Sequence, residues 1–242
     1  YLTKYYSINF NIPKRLKKKI FFIILHYTGM SQENQAIKKL CDSKHKVSSH
    51  YFVKKNGEVL NLVPDLYTSW HAGQSSWKNF KSLNKNSIGI EISNPGHDNG
   101  YRKFSLNQIN SIIKLLRYLV KKYNIKKHNI LGHSDIAPNR KKDPGEKFPW
   151  KILAKKNLCI WHDLKENQIK IKRNLKIQSF EEEIFLNNLY IIGYPRIAKK
   201  NYISNKRNLI RAFQRRFRQS LINGKIDQEC FLISKNILKF CN

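Results

Sequence analysis

Residues 20 to 25 read Ile-Phe-Phe-Ile-Ile-Leu, a run with no polar position in it. So short and uniform an apolar run reads as a strand buried on both faces, which requires a sheet covered by helices on each side. His26-Tyr27-Thr28-Gly29 leaves the C-terminal end of that strand, so a histidine opens into the crevice there.

The rest of the chain supplies the covering. Ser31 is in position to cap a helix running to about Cys41, with Ala36, Ile37 and Leu40 as its apolar stripe. Asn56-Gly57 separates two apolar segments, 49–53 and 58–63, and predicts a hairpin of adjacent strands. Ser87 to Ile92 is a further strand, with Ile88, Ile90 and Ile92 on one face and Glu91 on the other. Ser105-Leu106-Asn107-Gln108 is a capping box that opens a long helix to about Tyr123. Strands and helices thus alternate from Ile20 to Trp150, which predicts an α/β fold: a mixed central β-sheet flanked by helices.

Beyond residue 155 the composition turns lysine-rich, with an apolar island at Leu158 to Trp161, and residues 156–178 read as a connector packed on the first domain. A capping box at Ser179 to Glu182 then opens the first of three short helices, the others centring on 210–213 and 233–238. The expected division is a catalytic domain over 1–155, the connector, and a small three-helix domain over 179–242. Residues 1–19, polar and basic, are expected to lie over the surface.

With 47 basic and 16 acidic residues the formal net charge is +31, a field that attracts polyanions. The lysines are spread along the whole chain and no nucleic-acid motif accompanies them, so solvated basic faces are expected and nucleic acid is not an expected partner. The four cysteines show no C-x-x-C spacing, which indicates free buried thiols. No run of about 18 apolar residues predicts a transmembrane helix. The chain starts at Tyr1, as expected of a processed or truncated product, so any signal peptide or lipid-bearing cysteine would precede it. A monomer is expected.

Candidate chemistry lies in the loop from Asn129 to Gly145, where His133 ends an apolar run and Asp143 precedes Pro144-Gly145. Two imidazoles, His26 and His133, with one carboxylate leave a fourth tetrahedral position for water, the pattern of catalytic zinc. Each residue also has an ordinary reading: a histidine at a strand end is commonly a satisfied polar group, and an aspartate before Pro-Gly is commonly a turn former.

Four motifs in fixed order, Leu25-His26-Tyr27-Thr28, Trp70-His71-Ala72-Gly73, Ser87-Ile88-Gly89-Ile90-Glu91 and the His133 to Gly145 loop, resemble the zinc-dependent N-acetylmuramoyl-L-alanine amidases of the AmpD and AmiD type. The resemblance covers roughly residues 15 to 155 and implies one zinc ion per chain with His26, His133 and Asp143 as ligands. It further implies Glu91 as general base, Lys141 as the cation that stabilises the oxyanion, Asp135 as a loop-structuring residue, and a substrate groove at Trp70, His71 and Ala72. The implied reaction is hydrolysis of the amide between the lactyl group of N-acetylmuramic acid and L-alanine of the stem peptide. Peptidoglycan or muropeptides are then the partners and the bacterial envelope the location, with the cytoplasm as alternative.

Leu189 to Tyr194, Ala212-Phe213-Gln214 and Asn223 to Asp227 resemble the small peptidoglycan-binding helical domain attached to AmiD-type enzymes, against the alternative of a helical cap that stabilises the amidase. Related folds also bind muropeptides without cleaving them. The presence of all three ligand residues and Glu91 argues against that rival.

Overall fold

The structure, a computed structural model, describes residues 5–241. Five strands, β1 (Phe22–Tyr27), β2 (Tyr51–Val53), β3 (Val59–Asn61), β4 (Ser87–Ile92) and β5 (Ile130–Gly132), form a mixed sheet in the order β3-β2-β4-β1-β5. All neighbours are parallel except the β2–β3 hairpin. The helices of the described residues are α1 (Glu33–Cys41), α2 (Leu106–Tyr123), α3 (His133–Ile136), α4 (Trp150–Lys155), α5 (Glu166–Lys170), α6 (Ser179–Ile192), α7 (Tyr202–Phe217) and α8 (Gln228–Ile237).

The two faces of the sheet are covered differently, and the difference creates the site. On one face Ile23, Leu25, Ile88, Ile90 and Ile92 pack with Ile112, Leu116 and Leu119 of α2 in a continuous core. The α2 stripe works because its start is fixed: the Gln108 amide donates to Ser105 Oγ (3.1 Å), and the Ser105 amide donates back to Gln108 Oε1 (3.0 Å). The opposite face is shared. Phe52, Leu60 and Leu62 meet Ala36, Ile37 and Leu40 of α1, while Phe22, Ile24 and Leu131 join Phe185, Leu189 and Phe213 of the C-terminal helices. Glu91 and His26 belong to this second face, so their side chains fall in the gap between the two coverings.

Three expectations shift. α1 begins at Glu33 with Gln32, not Ser31, at its N-cap, and α6 begins one residue earlier than read, with Gln178, not Ser179, at its N-cap and the Gln178 amide donating to Glu181 Oε2 (2.7 Å). The N-terminal segment is woven in, not laid over the surface: Ser7 Oγ donates to the Leu40 carbonyl (2.6 Å), Phe10–Asn11 pairs with Thr68–Ser69, and the Arg15 guanidinium donates to the carbonyls of Asp65, Asn84 and Ser87. Its polar side chains satisfy carbonyls at a helix end, in loops and at the start of β4. Residues 1–4 and 242, the ends of the expected first and last domains, lie outside the described residues.

The connector island does pack inward, Leu158 and Cys159 into the α2 core and Ile160 into the other. The four cysteines carry free thiols. Among the described residues no helix is long and apolar enough to cross a membrane.

Candidate metal centre and active site

The parallel register of β1 and β4 sets His26 directly beside Glu91 at the C-terminal ends of both strands. β5, pairing Gly132 with Leu25, delivers His133 into the same place from the other side, and the loop beyond α3 returns Asp143. His26 Nδ1 lies 2.9 Å from His133 Nδ1 and 3.1 Å from Asp143 Oδ2, and His133 Nδ1 lies 3.0 Å from Asp143 Oδ2. All three residues are buried, and among the described residues they form a group whose side chains could together hold a metal ion.

Hydrogen bonds fix which nitrogens face one another. His133 Nε2 sits 3.0 Å from the Ala72 carbonyl, which can only accept, so Nε2 carries the proton. Ser87 Oγ donates to the Leu83 carbonyl (2.7 Å) and therefore accepts from His71 Nε2 (3.1 Å). His71 Nδ1 is then an acceptor, and His26 Nε2 donates to it at 3.0 Å. Both ligand histidines are left with bare Nδ1 lone pairs aimed at each other and at a carboxylate. Such an arrangement is repulsive unless a cation sits between them.

The spacings near 3 Å are within a few tenths of the edge of about 3.3 Å expected for tetrahedral ligands at zinc bond lengths. The donor set therefore fits a metal ion of the zinc class. Burial holds the His26 imidazole down at about 4, with the neighbouring His133 acting in the same direction, so His26 is neutral and ready to ligate at neutral pH. Burial works against ionisation of Asp143, yet the facing His133 and His26 outweigh it and keep its carboxyl well below the usual range.

Glu91 is different. Burial, then the Asp143 charge, push its carboxyl well above the ordinary carboxylate value, and its Oε2 is buried without a hydrogen-bond partner. It lines a cavity of about 330 Å³ together with His26, Trp70, His71, His133, Lys141 and Asp143. An unpaired carboxyl of raised basicity beside a metal-type donor set is what proton transfer requires.

Residues 16–146 match the Amidase_2 family, N-acetylmuramoyl-L-alanine amidase. The chain is 33% identical over 233 residues to the N-acetylmuramoyl-L-alanine amidase AmiD of Escherichia coli K12, covering 91% of this chain and 83% of that protein. The chain belongs to the N-acetylmuramoyl-L-alanine amidase family. A structure of E. coli AmiD, in complex with anhydro-N-acetylmuramic acid-L-Ala-D-γ-Glu-L-Lys, superposes with a TM-score of 0.80 at 32% identity over 95% of this chain and 92% of that one. AmpDh3 from Pseudomonas aeruginosa gives 0.79 at 29% identity, over 99% and 98% of the two chains.

In this amidase the structure brings seven of the eight residues singled out from sequence to the walls of one cavity; Ala72 alone turns away. Its side chain is fully buried in the apolar core, and its contribution is the carbonyl that receives His133 Nε2 and Arg140 Nη2 (2.8 Å). His71 touches His26 as well as lining the cavity. Trp70 lines it while donating from Nε1 to Asn11 Oδ1 (2.8 Å). Asp135 structures its loop, accepting from the Gly132 amide at 2.7 Å.

Sequence reasoning missed three supports. Asn84 Oδ1 accepts from the His71 and Ala72 amides and holds the Trp-His-Ala loop in place. Gly89 makes room for the His71 ring, since a Cβ there would stand 2.4 Å from its Cγ. Arg140 Nη2 ties the carbonyls of Ala72 and Gln74. Of these, only the glycine inside an isoleucine-rich strand was a visible signal.

Proposed function

We propose that this amidase cleaves the bond between N-acetylmuramic acid and L-alanine of peptidoglycan stem peptides using one zinc ion held by His26, His133 and Asp143. The observation that carries the reading is the convergence of two bare imidazole nitrogens and a carboxylate beside the unpaired Glu91 carboxyl. Bound there, zinc would supply Lewis-acid polarisation of the amide carbonyl and a lowered pKa for water.

The protein's own groups do the rest. Glu91 takes the proton of the attacking water and passes it to the leaving nitrogen, a role matched by its burial-raised basicity. Lys141, which lines the same cavity, presents positive charge to the oxygen that becomes anionic. Trp70 and His71 wall the groove for the muropeptide. We assign chemistry to residues 1–155, a connecting role to 156–178, and polymer engagement without chemistry to the helical unit 179–242. Peptidoglycan as substrate supports a location at the bacterial cell envelope.

The test is digestion of muropeptides followed by mass spectrometry, with and without a chelator. Release of free stem peptide that stops on chelation and returns with zinc is expected. His26→Ala, His133→Ala and Asp143→Ala should each lose metal and turnover together. Glu91→Ala should keep metal while turnover drops about 100-fold or more. A zinc-loaded Glu91→Ala protein of undiminished rate would remove the base assignment.

A further inference from the structure

A larger cavity, of about 540 Å³, opens at the seam between the metal loop and the helical unit. Its floor includes Ile136, Ala137 and Leu209, and its charged lining consists of Lys81, Arg140 and Arg196 with no carboxylate. Lys81 comes from the short strand Phe80–Lys81 that pairs with Ser76–Trp77, Arg140 from the metal loop and Arg196 from the turn after α6, so three separate segments deliver like charge to one concavity. Arg196 is held over the Tyr190 ring, 5.0 Å from its centroid, and Arg140 is anchored on backbone carbonyls. Two of the three cations are therefore positioned, and the like charge of all three favours an anionic occupant.

Arg140 also lines the metal cavity. The two concavities thus share Arg140 as a common wall. The size lies within the few hundred to about 1,000 Å³ typical of small-ligand sites, and the apolar floor with a cationic rim suits a peptide that ends in carboxylate.

Resting on the amidase reading above, we propose that the seam cavity is a second substrate subsite that takes a carboxylate-bearing peptide of the peptidoglycan polymer. The occupant is either the far end of the stem being cleaved or a neighbouring stem joined to it. Lys81 and Arg196 make its ionic contacts, and the half-buried Pro138 and Ile197 support its aliphatic part. The helical unit then contributes to polymer engagement by forming half of a groove that begins at the metal.

The test compares the zinc-loaded wild type with the Lys81→Gln/Arg196→Gln double variant, both residues being exposed and outside the catalytic set. Three substrates are used: N-acetylmuramoyl dipeptide, a monomeric muropeptide with full-length stem, and a cross-linked muropeptide dimer. KM for the dimer should rise about fivefold, as expected for two rim ion pairs, with kcat unchanged and the dipeptide unaffected. The difference should shrink as salt is raised from about 0.05 to about 0.5 M, because the screening length, roughly 10 Å at 0.1 M, falls over that range. A parallel rise on the monomer assigns the cavity to the tail of the cleaved stem; a rise on the dimer alone assigns it to the neighbour. Unchanged KM on all three, or an equal change that includes the dipeptide, overturns the proposal. A wild type that cleaves none of them would instead remove the amidase reading.

Discussion

A histidine can offer a metal either of its two nitrogens, and what the other nitrogen touches decides which is free. In His26 that decision is made by His71, whose own tautomer is set one bond further out by Ser87. Removing the relay with His71→Ala leaves the buried His26 Nε2 proton unpaired and its ring free to rotate. Zinc affinity should fall about 10- to 100-fold, the usual effect of deleting such a support, while the fold persists. His71→Asn, which retains an acceptor, should recover part of the loss. Competition with a chelator measures both, and an Ala variant that holds zinc as tightly as wild type would show that His71 does not position His26. The Trp-His-Ala-Gly motif made His71 visible in the sequence as a groove residue. Its relay role was not legible, because it depends on the strand register that puts Gly89 under its ring.

At the scale of elements, what is local was readable and what is assembled was not. The β2–β3 hairpin and the box at Ser105 announce themselves through Asn-Gly and Ser-x-x-Gln, since both are settled within a few residues. The short helices α3 and α4 went unread because fewer than two turns give no periodicity to detect. Nor did anything mark Asp65, which locks the loop after β3 to α2. Its carboxylate accepts from Tyr51 OH (2.6 Å), Tyr123 OH (2.7 Å) and Lys122 Nζ (2.8 Å). Burial favours the neutral acid there, but the hydrogen bonds from Lys122, Tyr51 and Tyr123 together prevail and lower its pKa below the ordinary value. A folded-state pKa below the unfolded one adds stability that is fully present above the unfolded value, about 3.9, and is lost progressively as pH falls from there through the lower folded-state value. Asp65→Asn should therefore cost about 1.5–3 kcal/mol at pH 7, the range for hydrogen bonds to a charged group. The gap to wild type should narrow below about pH 4. Thermal unfolding at neutral and acid pH checks this; a gap of constant size would mean that the carboxylate charge is not its source.

For the whole molecule, the question is whether the helical unit can be removed. By sequence it reads as an appended domain, and three helices do form where capping and periodicity place them. Yet one core runs through Phe22, Ile24 and Leu131 of the sheet and Phe185, Leu189 and Phe213 of the helices, so the unit covers half of one sheet face. A polar clasp adds to it. Arg216 of α7, 2% exposed, pairs with Asp135 at 3.1 Å, donates to the Ile130 carbonyl at 2.9 Å and stacks 3.6 Å over the Trp150 ring. Tyr194 OH donates to the other oxygen of Asp135 at 2.8 Å. Asp135 stands two residues from His133 in α3, so the clasp holds the turn that carries a proposed metal ligand. Arg216→Met strips a buried carboxylate of its cation, a change that typically costs about 3–5 kcal/mol, or about 10 °C in midpoint for a chain of this size. Zinc affinity should decline with it because the His133 turn loosens. Ending the chain at residue 178 removes clasp and cover together, and the expected product is an unfolded protein that retains no zinc. Circular dichroism and metal analysis of the two proteins decide the matter. A truncated chain that melts cooperatively, keeps one zinc and turns over soluble muropeptide at the normal rate would show the catalytic part to be an independent domain after all. Loss of fold would instead make the helical unit part of the scaffold that presents His133, whatever polymer it also engages.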